Sequence, residues 1–510
     1  MPEHLRALIV ILVLAIPVFV IAKKPACAVA TSGRDFARRR NLWFAITLVT
    51  FLSSDFWLCI AVIGILLLAI VPREPNKLAM FFALLFAVPA ISAQIPGMGI
   101  VNHVFSIDYI RLLCLTVLLP TFLQIRTWPE RARFGSLLAD KILLAYLVLL
   151  FALQLDVDSL TNTLRHGVFY AFIDVFLPYY VASRAIRDPR EFRDALMAFV
   201  VAAMLLAAVG AFEFARHWLL YRPLEGSLGM RWGGANYLLR AGLLRAEAST
   251  GQPIALGYVM AVAIGFFLYL RRSVPNAAAW GFGMVLLAVG LVAPVSRGPW
   301  VGAGTILLVY LATGPSAVWR LVKIGFAGLL LLPWLFVSPV GEKVVDLLPF
   351  VGTVEVHNIT YRERVLSISI QQILRHPWFG SYDALFAPEM QDLRQGQGII
   401  DIVNSYLGVG LQSGLVGLLL FCAFFAAVLF GVLRATRRLP GSDSEMHLLG
   451  RVLLATMAGI LLMIFTVSSI SVIPAIYWSV AGLCAAYAQS SGRAGAAGQG
   501  QVRPVVPLHV

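Results

Sequence analysis

At 510 residues, 60% hydrophobic and only 13% charged, the chain departs from a soluble domain, which is nearer half apolar and a quarter charged; no soluble core could hide this much apolar surface. Its net charge of +14 forms no nucleic-acid module, because the Lys and Arg residues gather in short segments between apolar runs, as in loops held on the inner side of a membrane. The five cysteines, Cys27, Cys59, Cys114, Cys422 and Cys484, show no metal-ligand spacing and no pair in an outer loop, so neither a disulfide nor a structural metal is expected.

The pattern predicts an all-α polytopic membrane protein with about 13–15 transmembrane helices, since each apolar run approaches the roughly 20 residues needed to cross a bilayer. The first run, 5–22, leads to Ala26-Cys27-Ala28, which has the small-residue look of a signal-peptidase site. Lys23, Lys24, Arg34, Arg38, Arg39 and Arg40 then mark a basic inner loop, and the run is read as an uncleaved helix with its N-terminus outside. Further runs lie near 42–54 and 56–71 (short, and tilted or re-entrant), 79–94, 107–124, 138–155, 167–183 and 194–214. Later ones lie near 253–270, 276–294, 299–314, 321–339, 404–430, 452–470 and 474–489. The inner loops of this ladder carry Arg126, Arg131 and Arg133, then Arg184, Arg187, Arg190 and Arg193, then Arg271 and Arg272, then Arg434, Arg437 and Arg438, whereas the outer loop 95–106 has no Lys, Arg, Asp or Glu. The expected divisions are N-terminal helices over 1–215, an arginine-rich outer loop 216–252, helices with a Ser-Arg-Gly turn over 253–340, a large outer loop 341–403, helices over 404–489, and a poorly ordered inner tail 490–510.

Two outer loops break the charge rule. Loop 216–252 holds Arg216, Arg222, Arg231, Arg240 and Arg245 against only Glu225 and Glu247. Arg216 and Arg222, beside a helix end, read as solvated or headgroup-facing. Arg245, just ahead of the compact Gly251-Gln252-Pro253 helix entry, reads as a binding residue for an anion, because a guanidinium grips phosphate bidentately. Loop 341–403 contains an amphipathic helix from Tyr361 to Arg375, with Val365, Leu366, Ile370, Ile373 and Leu374 on one side, and is expected to cap the membrane domain. Arg297 lies in the tight Ser296-Arg297-Gly298-Pro299-Trp300 turn, where an arginine near hydrocarbon marks a polar cavity. Asp401, at the mouth of a membrane helix, either caps that helix or acts as a general base.

In this order the motifs resemble the bacterial O-antigen polymerase and ligase superfamily. The resemblance rests on Arg245 with Gly251-Gln252-Pro253-Ile254-Ala255-Leu256-Gly257; on Ser296-Arg297-Gly298-Pro299-Trp300; on Arg362 and Arg364 with His376-Pro377-Trp378-Phe379-Gly380; and on Asn404-Ser405-Tyr406-Leu407 with Gly414-Leu415-Val416-Gly417. The N-terminal half is similar to exopolysaccharide-associated members through Arg38-Arg39-Arg40-Asn41-Leu42-Trp43, Ile95-Pro96-Gly97 and Leu118-Leu119-Pro120.

The resemblance implies a metal-independent, inverting glycosyltransferase of the bacterial inner membrane, active at its periplasmic face and needing no cofactor. Its donor would be an oligosaccharide on undecaprenyl diphosphate, and its other partners membrane lipid and the flippase, chain-length and export proteins of the same pathway. Arg245, Arg297, Arg362 and Arg364 are the implied diphosphate-binding residues, with Asn404, Tyr406 and His376 near the site. Many ligases carry a His immediately before the Asn, where this chain has Val403, and relatives often have Gly-His-Pro where this chain has Gln252. The general base then falls to Asp401, His357 or Glu247, in that order. The first expectation is polymerisation of lipid-linked repeat units. The alternatives are a ligase that transfers glycan to lipid A-core or protein, a flippase or other transporter, and a non-enzymatic scaffold.

Overall fold

A backbone in lipid must satisfy its own hydrogen bonds, and the computed structural model accordingly folds almost wholly into helices. It describes residues 1–510 except 98, 100–102, 130–131, 158, 231–236, 275, 324, 327–355, 395–399, 440–443 and 501–510. The N-terminal half contains α1 (Glu3–Val29), α2 (Gly33–Leu52), α3 (Phe56–Ile70), α4 (Lys77–Leu84), a two-stranded hairpin of β1 (Ala93–Pro96) and β2 (His103–Ile107), and α5 (Tyr109–Arg126). After these come α6 (Leu138–Val157), a helical stretch over 160–185, and α7 (Pro189–Arg216). The second half contains β3 (Leu239–Arg240) and β4 (Leu243–Leu244), then α8 (Pro253–Leu270), α9 (Ala277–Val292), α10 (Arg297–Ala312), α11 (Val356–Arg375), α12 (Ser405–Arg438), α13 (Glu445–Ile464) and α14 (Ile473–Gly500).

Among the described residues, eight helices are long and apolar enough to cross a membrane. α2 has the length, but Arg34, Asp35, Arg38, Arg39 and Arg40 occupy its first turns; α9, with 16 residues, is shorter. The expected helix 321–339 lies almost wholly outside the described residues. Three expectations are corrected. The run 79–94 is not one helix, since α4 stops at Leu84 and the chain is extended by Ala93. The basic segment after α1 is largely helical, not a loop. The backbone stays helical to Gly500, past the point where a disordered tail was expected.

At one end of the bundle the arginines are held by acids. Arg39 is buried and bonds Asp194 through Nη1 and Nη2 at 2.7 Å each, and Glu74 through Nη2 at 2.6 Å. Arg193 bonds Glu445, which also accepts from Tyr269 at 2.7 Å. Arg184 bonds Asp140 at 2.6 Å. Burying such charges costs several kcal/mol per ion unless they are paired, and the pairs join the start of α7, the end of α8 and the start of α13. Near this end the helix starts are sealed by side-chain caps, from Ser32 to the Asp35 N–H, from Asp188 to the Glu191 N–H and from Ser444 to the His447 N–H, as exposed first-turn amides require.

Candidate active site at the opposite end

The far end of α7 organises the arginine-rich loop. Glu213, one turn before the helix ends, is buried and accepts from the backbone N–H groups of Leu220 (3.0 Å), Glu247 (3.0 Å) and Ala248 (2.8 Å). A single carboxylate thus pairs three amides that would be costly to bury alone, and it pins the Glu247–Ala248 backbone to the helix end. The β3–β4 hairpin then presents two arginines to the turn before α10. Arg240 Nη1 donates to the Val295 carbonyl (2.7 Å), Arg245 Nε to the Pro294 carbonyl (3.2 Å), and Arg245 Nη2 to Ser296 Oγ (2.9 Å). Val295 has φ 47°, a conformation rare for a β-branched residue that persists only where its surroundings impose it; the arginine clamp does so here.

This clamp changes the chemistry of the helix start. Ser296 occupies the N-cap of α10, yet its side chain does not cap. Its hydroxyl donates to the Pro294 carbonyl at 3.2 Å and accepts from Arg245. Arg297 is the first residue of α10, half-buried. Gln252 at the start of α8 also provides no side-chain cap. Two helix starts without side-chain caps, positive ends of the helix dipole, therefore sit beside Arg245 and Arg297.

The turn between α13 and α14 joins these groups to Asp401. Ser468 Oγ donates to Asp401 Oδ1 at 2.9 Å. The Val467 carbonyl accepts from both the backbone and the hydroxyl of Ser405, at 3.1 and 2.8 Å. Ser471 Oγ donates to the Thr250 carbonyl at 2.9 Å. Thr466 packs so closely on Gly298 that a Cβ there would collide with its hydroxyl. Arg245, the Ser296-Arg297-Gly298 turn, Asp401 and the Asn404 helix start thus converge on residues 465–471.

Asn404, rather than Asp401, caps α12: its Oδ1 accepts from the N–H groups of Tyr406 (2.9 Å) and Leu407 (3.3 Å). The exposed Asp401 carboxylate is left to Ser468, while its backbone meets the Tyr361 hydroxyl at 3.2 and 3.3 Å. Tyr406 is half-buried and donates to the Leu461 carbonyl at 3.0 Å. Glu247 is buried beneath the loop. His357 falls in the first turn of α11.

α11, the expected cap, packs against the start of α12 and against residues 384–393, with the face partition corrected. Val365, Ser369, Gln372 and Ile373 are buried, whereas Leu366, Ile370 and Leu374 are exposed. Arg362 and Arg364 are both exposed; Arg362 lies four residues before Leu366, at the head of the exposed stripe, and directly follows Tyr361. His376 is exposed and accepts from the Gly380 N–H at 3.0 Å through its carbonyl. The chain after α11 plugs into a break in α12. Gly414 has φ 63° and ψ −164° inside that helix, which frees the next amides from their intrahelical partners. Leu415 N–H donates instead to the Pro377 carbonyl (2.7 Å), Val416 N–H to the Trp378 carbonyl (3.2 Å), and Ser381 N–H to the Leu411 carbonyl (2.9 Å).

Residues 282–422 match the family model described as O-antigen ligase. This stretch of the chain is similar to the O-antigen ligase family. It spans Arg297, both cap arginines, Asp401 and the Gly414 break, and it bears out the resemblance to the O-antigen polymerase and ligase superfamily. Arg240, Arg245, Glu213 and the 465–471 turn lie outside it and reach it only in the fold. No curated protein matches the chain. Sequence reasoning missed Glu213 and the turn. Their only signals were an acid near the end of an apolar helix and the polar run Thr466-Val467-Ser468-Ser469 interrupting another.

Proposed function

We propose that this multi-pass membrane protein is a polysaccharide polymerase. It would join repeat units carried on undecaprenyl diphosphate, with the Arg245–Arg297–Asp401 end facing the periplasm of a bacterial inner membrane. The observation that carries this reading is the convergence of Arg245, Arg297 and Asp401 on one turn, within and beside the stretch similar to the O-antigen ligase family. In the reaction an acceptor hydroxyl attacks the anomeric carbon of the donor. A carbon–oxygen bond forms there as the bond to the diphosphate oxygen breaks, with inversion. The hydroxyl proton passes to the Asp401 carboxylate, which is exposed and oriented by Ser468; it ranks ahead of His357 and of buried Glu247. The departing diphosphate gathers negative charge, and Arg245, Arg297 and Arg362 are placed to stabilise it, more in the transition state than in the ground state. Arg362 is preferred to Arg364 because it directly follows Tyr361, whose hydroxyl meets the Asp401 backbone. Asn404 and Tyr406 hold the helix start, and the cap limits competing attack by water.

Transfer to lipid A-core or a protein acceptor is the second reading, favoured by the family's description. Val403 beside Asn404, where many ligases have His, weighs against it. A transporter would place its charges at mid-membrane in broken helices; here the arginines lie at one end. The test is deletion of the gene, complementation with wild type or Arg297→Ala, and sizing of lipid-linked and exported glycans. Accumulated single repeat units with loss of polymer support the polymerase. Long polymer retained on the lipid but missing from its acceptor indicates a ligase, and repeat units trapped on the cytoplasmic side indicate a transporter.

A further inference from the structure

The exposed side of the cap has a composition unsuited to water. Leu366, Ile370 and Leu374 are spaced four residues apart and form one stripe of α11, and the stripe leads into Trp378, Phe379 and Phe386. Leu374 is 65% exposed, Trp378 67%, Phe379 53% and Phe386 72%. A soluble surface rarely gathers apolar side chains of this size in one patch.

The position of the patch identifies its occupant. The carbonyls of Pro377 and Trp378 are bonded to the amides of Leu415 and Val416, so Trp378 and Phe379 lie at the level of the Gly414 break. Leu415 and Leu419, next along α12, are exposed, and on a spanning helix that face meets lipid. From Gly414 to Arg434 is about 20 residues, or about 30 Å of helix, the thickness of the hydrocarbon core. With Arg434 at one interface, the break and the aromatic pair fall at the other, where tryptophan rings settle. Arg364, on the next face of α11, lies within reach of headgroup phosphates.

We infer that the cap is an interfacial element, with Leu366, Ile370, Leu374, Trp378, Phe379 and Phe386 sunk into the leaflet on the active side. This inference rests on the membrane architecture and is independent of which glycan transfer the protein performs. Its consequence for the site is that the lipid-facing stripe runs up to Arg362, next to the contact of Tyr361 with Asp401. A lipid-linked substrate could then arrive sideways from the bilayer without crossing water.

The test uses the full-length protein in phosphatidylethanolamine–phosphatidylglycerol vesicles. The fluorescence of Trp378 is taken as the difference between wild type and Trp378→Phe. The expected result is loss of most of that component when the acyl chains are brominated near the headgroup, and little loss with aqueous iodide. Quenching by iodide alone would overturn the inference in favour of a solvent-exposed cap. Protection from both quenchers would overturn it in favour of cover by another protein or a second copy. Should Trp378→Phe fail to fold, nitroxides on Leu366→Cys and Leu374→Cys give the same decision. They should be more accessible to oxygen than to a water-soluble nickel complex; the reverse order would overturn the inference.

Discussion

Arg245 and Arg297 are 52 positions apart in sequence, yet Ser296 Oγ accepts from Arg245 at 2.9 Å and its backbone leads directly into Arg297. That proximity explains why an arginine-rich segment persists where charge alone would not keep it. If both guanidiniums hold the leaving diphosphate, Arg245→Ala and Arg297→Ala should each lower turnover by about 10²–10³, as removal of one oxyanion donor does. Arg364→Ala should leave turnover within a few fold. Turnover of a lipid-linked donor by purified variants expressed at wild-type level checks this, and equal losses at all three positions would discard the assigned geometry. Sequence alone singled out Arg245, Arg297 and Asp401, because each is a charge at a helix mouth. It left open whether Asp401 caps or reacts, since both uses need a carboxylate in that neighbourhood. Only the fold shows that Asn404 takes the cap.

The elements were legible where apolar runs were long, and blurred where tertiary contacts override periodicity. α8 matches its expected bounds, 253–270, because no polar residue interrupts it. The cap helix was anticipated from its period, but its apolar side divides between the protein and an exposed stripe, a distinction no helical wheel contains. The break at Gly414 is likewise invisible in sequence, because glycine is tolerated in membrane helices without breaking them. Gly414→Ala would place a methyl against the Trp378 backbone and hold an L-residue in a conformation essentially confined to glycine, a cost of about 1–3 kcal/mol before the collision is counted. Hydrogen exchange across 356–394 should therefore accelerate while exchange in α8 and α13 stays unchanged; uniform protection would contradict the plug. The cap also carries a pH-dependent tie. Arg375 bonds Glu389 at 2.7 Å and holds its carboxyl below the ordinary value of 4.5. A depressed acid stabilises the fold above its unfolded value, and the benefit fades as pH falls through the folded one. Cap exchange should consequently rise below about pH 4.5, modestly because the pair is exposed, and Glu389→Gln should remove that part of the dependence.

Across the whole molecule, charged side chains fasten distant segments to one another. At one end Arg39, Arg184 and Arg193 are matched by Asp194, Glu74, Asp140 and Glu445, and they lock helices together. At the other, Arg240 and Arg245 bond to a carbonyl-rich turn and a hydroxyl beside the Arg297 helix start. Composition predicted the membrane and the density of helices. It could not predict these pairings, because the acids that neutralise Arg39 lie 35 and 155 positions away. The most direct test of the central claim is reconstitution of the purified protein with lipid-diphosphate-linked repeat units as its only glycan, followed by sizing of the products. Wild type should build a ladder of longer lipid-linked chains and release undecaprenyl diphosphate, while Arg297→Ala and Asp401→Asn should leave single units. No ladder from wild type, or an undiminished ladder from both variants, would contradict the account.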